Sequence, residues 1–220
     1  MLNIFGVYKP KGPTSNYVVQ KIKRVTGQKV GHAGTLDPLA KGILVVGVGR
    51  EATKQLSTYV QKEKEYLATI KLGYTSTTDD AEGEKTKVEF KAKPTKKDVE
   101  NAVKKFKGKI SQVPPIFSAI KIDGKEAYKH ARKGKKVKMN AREVEIKKLK
   151  IKSYKWPNLK ISVTTGPGTY IRSLARDIGE SLKTGGYLSD LERTRVGTFT
   201  KKNAKTITQI KKLASLAKKV

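Results

Sequence analysis

The sequence predicts an α+β fold with a mixed, mainly antiparallel central sheet and flanking helices. Segments of helical spacing and segments of strand-like alternation are interleaved without the strict strand-helix-strand order of a doubly wound sheet. Two apolar-alternating runs, residues 144–154 and 159–165, face each other across the turn Trp156-Pro157-Asn158, as an antiparallel pair does. The chain has 220 residues, enough for a buried core, and apolar runs such as 42–48 argue against disorder although only 36% of residues are hydrophobic and 31% are charged.

Residues 2–8 read as a strand, and KPKGPTS then supplies a Pro/Gly turn and a Ser or Thr cap. Val18, Val19, Ile22 and Val25 recur at helical spacing, so 15–26 is expected to be an amphipathic helix closed by Gly27. A loop around Asp37 leads to a buried strand at 43–48, a helix at 50–60 and a strand at 65–72. The polar segment YTSTTDDAEGE, 74–84, reads as a solvated surface loop, since its acidic residues lack the spacing of a calcium loop.

A helix is expected at 96–106. PPIFSAIKIDGKEAY, 114–128, reads as strand, Asp-Gly turn and short helix. The strand pair is followed by a glycine-rich bend and a helix at 170–182, with Ile171, Leu174, Ala175 and Ile178 on one face. A strand near 195–200 and a helix at 206–217 end the chain. No internal repeat and no linker is evident, so 1–220 is expected to be one domain.

The 49 basic residues against 19 acidic ones give a formal net charge of +30 at pH 7. A basic surface common to a basic proteome accounts for part of this. A polyanion, and nucleic acid in particular, is the favoured partner, because forty-one of the basic residues are lysines dispersed along the whole chain. The absence of Cys excludes a thiol nucleophile, a disulfide and Cys-containing metal sites. No metal and no cofactor is expected: only His32 and His130 offer imidazole, and no phosphate-binding glycine loop is present. The first residues lack the pattern of a secretory signal, and no run of about 18 apolar residues exists, so a cytoplasmic protein without membrane contact is expected.

The short patterns Ser118-Ala119-Ile120-Lys121 and Lys183-Thr184-Gly185 match two parts of the penicillin-binding signature, but the third part is missing and both arise easily in a lysine-rich chain. Asp37 stands out more. It lies in GHAGTLDPLAKGILVVGVG, 31–49, a nearly uncharged stretch, flanked by Leu36, Pro38 and Leu39. Pro38 favours extended geometry at Asp37. Two roles remain open from the residues alone, a turn cap and a carboxylate nucleophile held ionised by an arginine. Arg172, at the start of a helix after a glycine-rich bend, is the leading arginine, because its planar fork grips a carboxylate in two places. Tyr66 and Tyr170 are either core packing or platforms for a base.

Several long motifs match one known family in order and spacing. They are YKPKGPTS, KVGHAGTLDPLAKGILVVGVGREATK at 29–54, KEYLATIKLGYTSTTDDAEG at 64–83, QVPPIFSAIKIDGKEAYKHARKG at 112–134, GTYIRSLARDIG at 168–179 and LSDLERTRVGTF at 188–199. Through them the sequence resembles the TruB family of RNA pseudouridine synthases, which in bacteria act on uridine 55 in the T-arm of tRNA. The resemblance implies the pseudouridine synthase fold, a monomer and a base-flipping, aspartate-dependent isomerisation without cofactor.

By the same resemblance Asp37 is the catalytic aspartate, Arg172 the arginine that pairs with it, and Tyr66 the tyrosine that packs on the flipped base. His32, Tyr170 and Leu191 match substrate-binding positions. Thr165-Gly166-Pro167 departs from a Cys-Ser pattern found before GTYIR in many relatives. The C-terminal RNA-binding, PUA-like domain usual in bacterial members is expected to be absent. A non-catalytic RNA-binding protein of this shape, or a family member acting on another RNA, is the alternative reading.

Overall fold

The computed structural model describes residues 3–122, 124–134 and 137–217. Leu2 of the first expected strand and Asp123 of the expected Asp-Gly turn lie outside them. The described residues form an α+β fold with a mainly antiparallel central sheet and six helices. They divide into two compact units, residues 1–67 with 191–220 and residues 68–190.

In the first unit β1 (Ile4–Lys9) pairs antiparallel with β3 (Ala40–Val48), placing Ile4 opposite Gly47 and Lys9 opposite Gly42. The short β2 (Val30–Ala33) pairs with the same strand from Val30 opposite Val48 to Ala33 opposite Val45. β3 is therefore central and buried on both faces, which is why GILVVGV reads as a continuous apolar run instead of alternating. Leu44, Val46 and Val48 pack with Phe5, Val7 and the α1 residues Val18 and Ile22. Ile43 and Val45 pack with Ala33, Leu56 and Val196.

Helix α1 (Ser15–Thr26) has the expected bounds: the Thr14 hydroxyl accepts from the Tyr17 amide, and Gly27, with φ of 69°, closes the helix in the left-handed conformation. α2 (Arg50–Val60) buries Ala52 and Leu56, and Ile210 of α6 (Ile207–Ala217) joins the α1 core. The end of β12 (Gly186–Val196) runs parallel to β3, with Arg193 opposite Gly42, and is followed by β13 (Phe199–Thr200), which pairs back onto it. At Gly42 an added Cβ would lie 2.2 Å from the Arg193 carbonyl oxygen and φ is +117°, so only glycine fits there.

In the second unit β10 (Arg142–Lys155) pairs antiparallel with β11 (Asn158–Thr165) on one side and with β7 (Gly108–Gln112) on the other. β4 (Lys64–Leu72), whose first four residues belong to the first unit, alternates strictly, with Lys64, Tyr66, Ala68, Ile70 and Leu72 on its buried face. Helix α3 (Lys96–Lys104) starts in a capping box between Thr95 and Asp98, and α5 (Ile171–Ser181) buries Ile171, Leu174, Ala175 and Ile178, the face its spacing marks. α4 (Ala127–Ala131) follows a two-residue hairpin of β8 (Lys121–Ile122) and β9 (Lys125–Glu126).

Some expectations change. β2 is a strand where the loop around Asp37 was expected, β7 and most of β12 are strands in stretches to which no element was assigned, and the segment 74–84 is bracketed by the paired strands β5 (Tyr74–Ser76) and β6 (Lys85–Lys87). That segment is also less solvated than its composition suggests. Asp80 within it is only 2% exposed, because it is satisfied by the Thr78 hydroxyl and the Glu82 amide and faces a buried arginine.

Candidate active site

Asp37 is half-buried, in a short turn between β2 and β3 whose backbone is held at several points. The Ser15 hydroxyl, at the first residue of α1, accepts from the Leu36 amide and donates to the Leu36 carbonyl, each at 2.8 Å. The Gly12 amide of the KPKG turn donates to the Pro38 carbonyl at 2.8 Å, and the Ala40 amide donates to the Asp37 carbonyl at 3.1 Å. The main chain on both sides of the carboxylate is thus fixed by three separate partners.

A fourth partner went unnoticed in the sequence. Arg193 of β12 is fully buried, at 2% exposure. Its Nε donates to the Ile43 carbonyl at 2.7 Å and its Nη2 to the Gly34 carbonyl at 2.8 Å, with Nη1 3.4 Å from the Thr35 carbonyl. The side chain of Tyr66 and the charge of Asp37 both act favourably on the guanidinium. Burial pulls the pKa of this guanidinium down, opposed first by Tyr66 and then by Asp37. In β12 the buried residues Leu191 and Arg193 are two apart, so the alternation of the strand was a usable sign that Arg193 points inward with Leu191.

Two further basic groups feel Arg193. Lys64, on the same face of β4 as Tyr66, donates from Nζ to the carbonyls of Val60 and Lys62, both at 2.8 Å. Burial, and then the Arg193 charge, lower its pKa from 10.5 to about 8. His32 of β2 is shifted down from its usual value by burial and then by Arg193, which favours the neutral imidazole at pH 7. Its Nδ1 is buried without a hydrogen-bond partner among the described residues.

The expected residues therefore fall into two groups. Asp37, Tyr66, His32 and Leu191 belong to the first unit, where Arg193 links Asp37 and Tyr66. Tyr170 and Arg172 belong to the second. The Tyr170 backbone is gripped at both ends by the buried Gln112, which accepts from its amide at 2.9 Å and donates to its carbonyl at 3.2 Å. Arg172, buried in the first turn of α5, donates to the carbonyls of Phe117 at 2.8 Å and Thr78 at 3.3 Å and lies 3.7 Å from the Asp80 carboxylate.

One turn on, Arg176 meets Asp79 at 2.7 Å, Asp177 at 2.9 Å and the Val113 carbonyl at 2.8 Å. Asp79 is a partner from 97 residues earlier in the chain. Among the described residues no group of three or more His, Asp or Glu side chains is placed to hold a metal ion, and no helix is long and apolar enough to cross a membrane.

A mainly antiparallel central sheet flanked by helices is the fold of the pseudouridine synthases. The structure superposes on the solved Cbf5-Nop10-Gar1 complex with a TM-score of 0.76 and 27% identity, covering 99% of this chain and 56% of that one. An H/ACA ribonucleoprotein bound to a substrate RNA containing 2′-deoxyuridine matches with a TM-score of 0.73 and 25% identity, over 99% of this chain and 55% of that one.

Family models narrow the class. Residues 21–171 match the N-terminal domain of the TruB family pseudouridylate synthases, and residues 172–219 match the tRNA pseudouridylate synthase B C-terminal domain. The chain belongs to the TruB family. A tRNA pseudouridine synthase B of Corynebacterium diphtheriae is 47% identical over 212 residues, covering 93% of this chain and 70% of that protein, and one of Streptomyces coelicolor is 45% identical, over 93% and 71%.

Proposed function

We propose that this protein isomerises uridine to pseudouridine at position 55 in the T-arm of tRNA, as a monomer in the cytoplasm, with Asp37 as the reacting carboxylate. The observation that carries the reading is the Asp37 turn, a half-buried carboxylate whose neighbouring backbone is bonded by Ser15, Gly12 and Arg193. A turn cap alone needs no such anchoring. A reacting group held to within a fraction of an ångström does.

The isomerisation imports no atoms and no electrons. The bond from ribose C1′ to N1 of the base breaks, the base turns, and C1′ bonds to C5. The proton on C5 is lost, and N1 gains one. A uridine inside a folded arm reaches Asp37 only by flipping out of its stack, so side chains must replace the lost stacking. Tyr66 and Leu191, both buried, are assigned to that face. His32, with an unpartnered Nδ1, is assigned to a polar group of the RNA. Tyr170 and Arg172 are assigned to the same reaction on the likeness of their motif. The dispersed lysines meet phosphate, and the extruded base and the arm's shape provide selectivity.

The test is to incubate the protein with an unmodified tRNA transcript and map pseudouridine by a base-specific chemical label. Wild type is expected to modify one uridine, at position 55, and Asp37→Asn to lose at least about a thousandfold in rate while keeping its RNA affinity. Binding without modification by wild type would favour the non-catalytic reading. Modification elsewhere would redirect the target.

A further inference from the structure

We infer that Arg193 is a positioning residue for this reaction: one buried guanidinium fixes the backbone of the Asp37 turn from both sides. The inference rests on the function proposed above and assigns a part to a residue outside that reading's set. A guanidinium at 2% exposure is expensive to desolvate, so it persists only where its N–H groups are matched. Its matches are concentrated on the reacting segment. Gly34 and Thr35 lie just before Asp37, and Ile43 lies just after its turn.

The frame is stiff at its base. Arg193 sits mid-strand in β12, paired in parallel register with Gly42, where the two backbones approach too closely for any side chain. The strand therefore cannot slide without breaking the pairing. A lysine in the same place brings one ammonium and three protons. It cannot bond the carbonyls on both sides of Asp37 at once, because the spread of the planar fork is what spans them. Apart from Asp37, the titratable groups that feel the guanidinium, Lys64 and His32, add no anionic partner that would hold a lysine in the fork's place.

The experiment compares Arg193→Lys, Arg193→Met and the core variant Ile210→Ala, whose side chain is buried in α6 of the same unit. Three quantities are read: the thermal midpoint, the dissociation constant for tRNA, and the single-turnover rate of pseudouridine formation. Arg193→Lys is expected to bind RNA within about twofold of wild type and to lose on the order of 100-fold in rate. Ile210→Ala is expected to lose thermal stability and keep its rate. A rate within about fivefold of wild type for Arg193→Lys, or an equal loss in Ile210→Ala, would overturn the inference.

Amide hydrogen exchange provides a readout independent of catalysis. Residues 34–40 are expected to exchange at least tenfold faster in Arg193→Lys and Arg193→Met than in wild type, while the α1 amides stay unchanged. Unchanged exchange at 34–40 overturns the positioning role. A wild type that makes no pseudouridine defeats the proposed function and leaves the exchange result to decide whether Arg193 holds the turn.

Discussion

Arg193 and Arg172 are both buried guanidiniums that donate to main-chain carbonyls of aspartate-bearing loops, and they differ in what carries them. Arg193 rises from the middle of a strand whose backbone is locked against β3 at Gly42. Arg172 rises from the first turn of α5, and its acceptors, Phe117 and Thr78, belong to loops. Their charges are also met differently. The Arg172 charge has the Asp80 carboxylate at 3.7 Å, whereas the bonds of Arg193 go to neutral carbonyls. A strand-borne arginine fixes a loop with the rigidity of the sheet. A helix-borne one whose acceptors lie in loops shares the lower local stability of the segments it gathers.

The comparison is broken most severely at Gly42. Gly42→Ala sets a Cβ 2.2 Å from the Arg193 carbonyl oxygen at a φ of +117°, and urea denaturation is expected to show a loss of at least about 4 kcal/mol, or no folded protein at all. Retention of full stability would mean that the strand pair is not rigid. On the other side, Asp80→Ala removes the carboxylate beside Arg172 and leaves a buried guanidinium with less compensation, for an expected loss of about 3 kcal/mol by the same measurement. Asp80→Asn, which still accepts from the Thr78 hydroxyl and the Glu82 amide, is expected to lose less than half of that.

The smallest effect concerns the charge around Arg193. Lys64 binds its proton less tightly in the fold, with a pKa of about 8 against 10.5 unfolded. Between these values the unfolded chain holds the extra proton, so stability rises with pH across that window, by at most about 3 kcal/mol. Below pH 8 the buried ammonium weighs on the fold in full. Thermal melts of Lys64→Met are expected to lack the rise between pH 8 and 10.5, and an identical rise in both proteins would remove Lys64 from its origin.

Local signals made the helices readable. The spacing of Val18, Val19 and Ile22, the Thr14 cap and Gly27 fixed α1 at its observed ends, and the same reasoning located α2, α3 and α5. Strands held by distant partners were harder. β12 carries Glu192, Arg193 and Arg195 in its inner half, and a run so charged reads as surface until its pairing with β3, about 150 residues earlier in the chain, is known.

The same limit applied to Asp79 and Asp80. Their composition suggested solvent, and their partners Arg176 and Arg172 lie more than 90 residues away. Asp37 was legible because its apolar flanks are local. Arg193, which holds the turn that carries it, was legible only by inference from alternation.

That separation has a consequence for a chain that is made from one end. Asp37 and Tyr66 emerge early in synthesis, and the second unit follows as one unbroken stretch from 68 to 190 before Arg193 appears. Until then the carbonyls of Gly34, Thr35 and Ile43 have no guanidinium to accept from. A nascent chain still on the ribosome, surrounded by RNA, thus carries its carboxylate on an unfastened turn, and the fastening comes only after the whole of the second unit has been made.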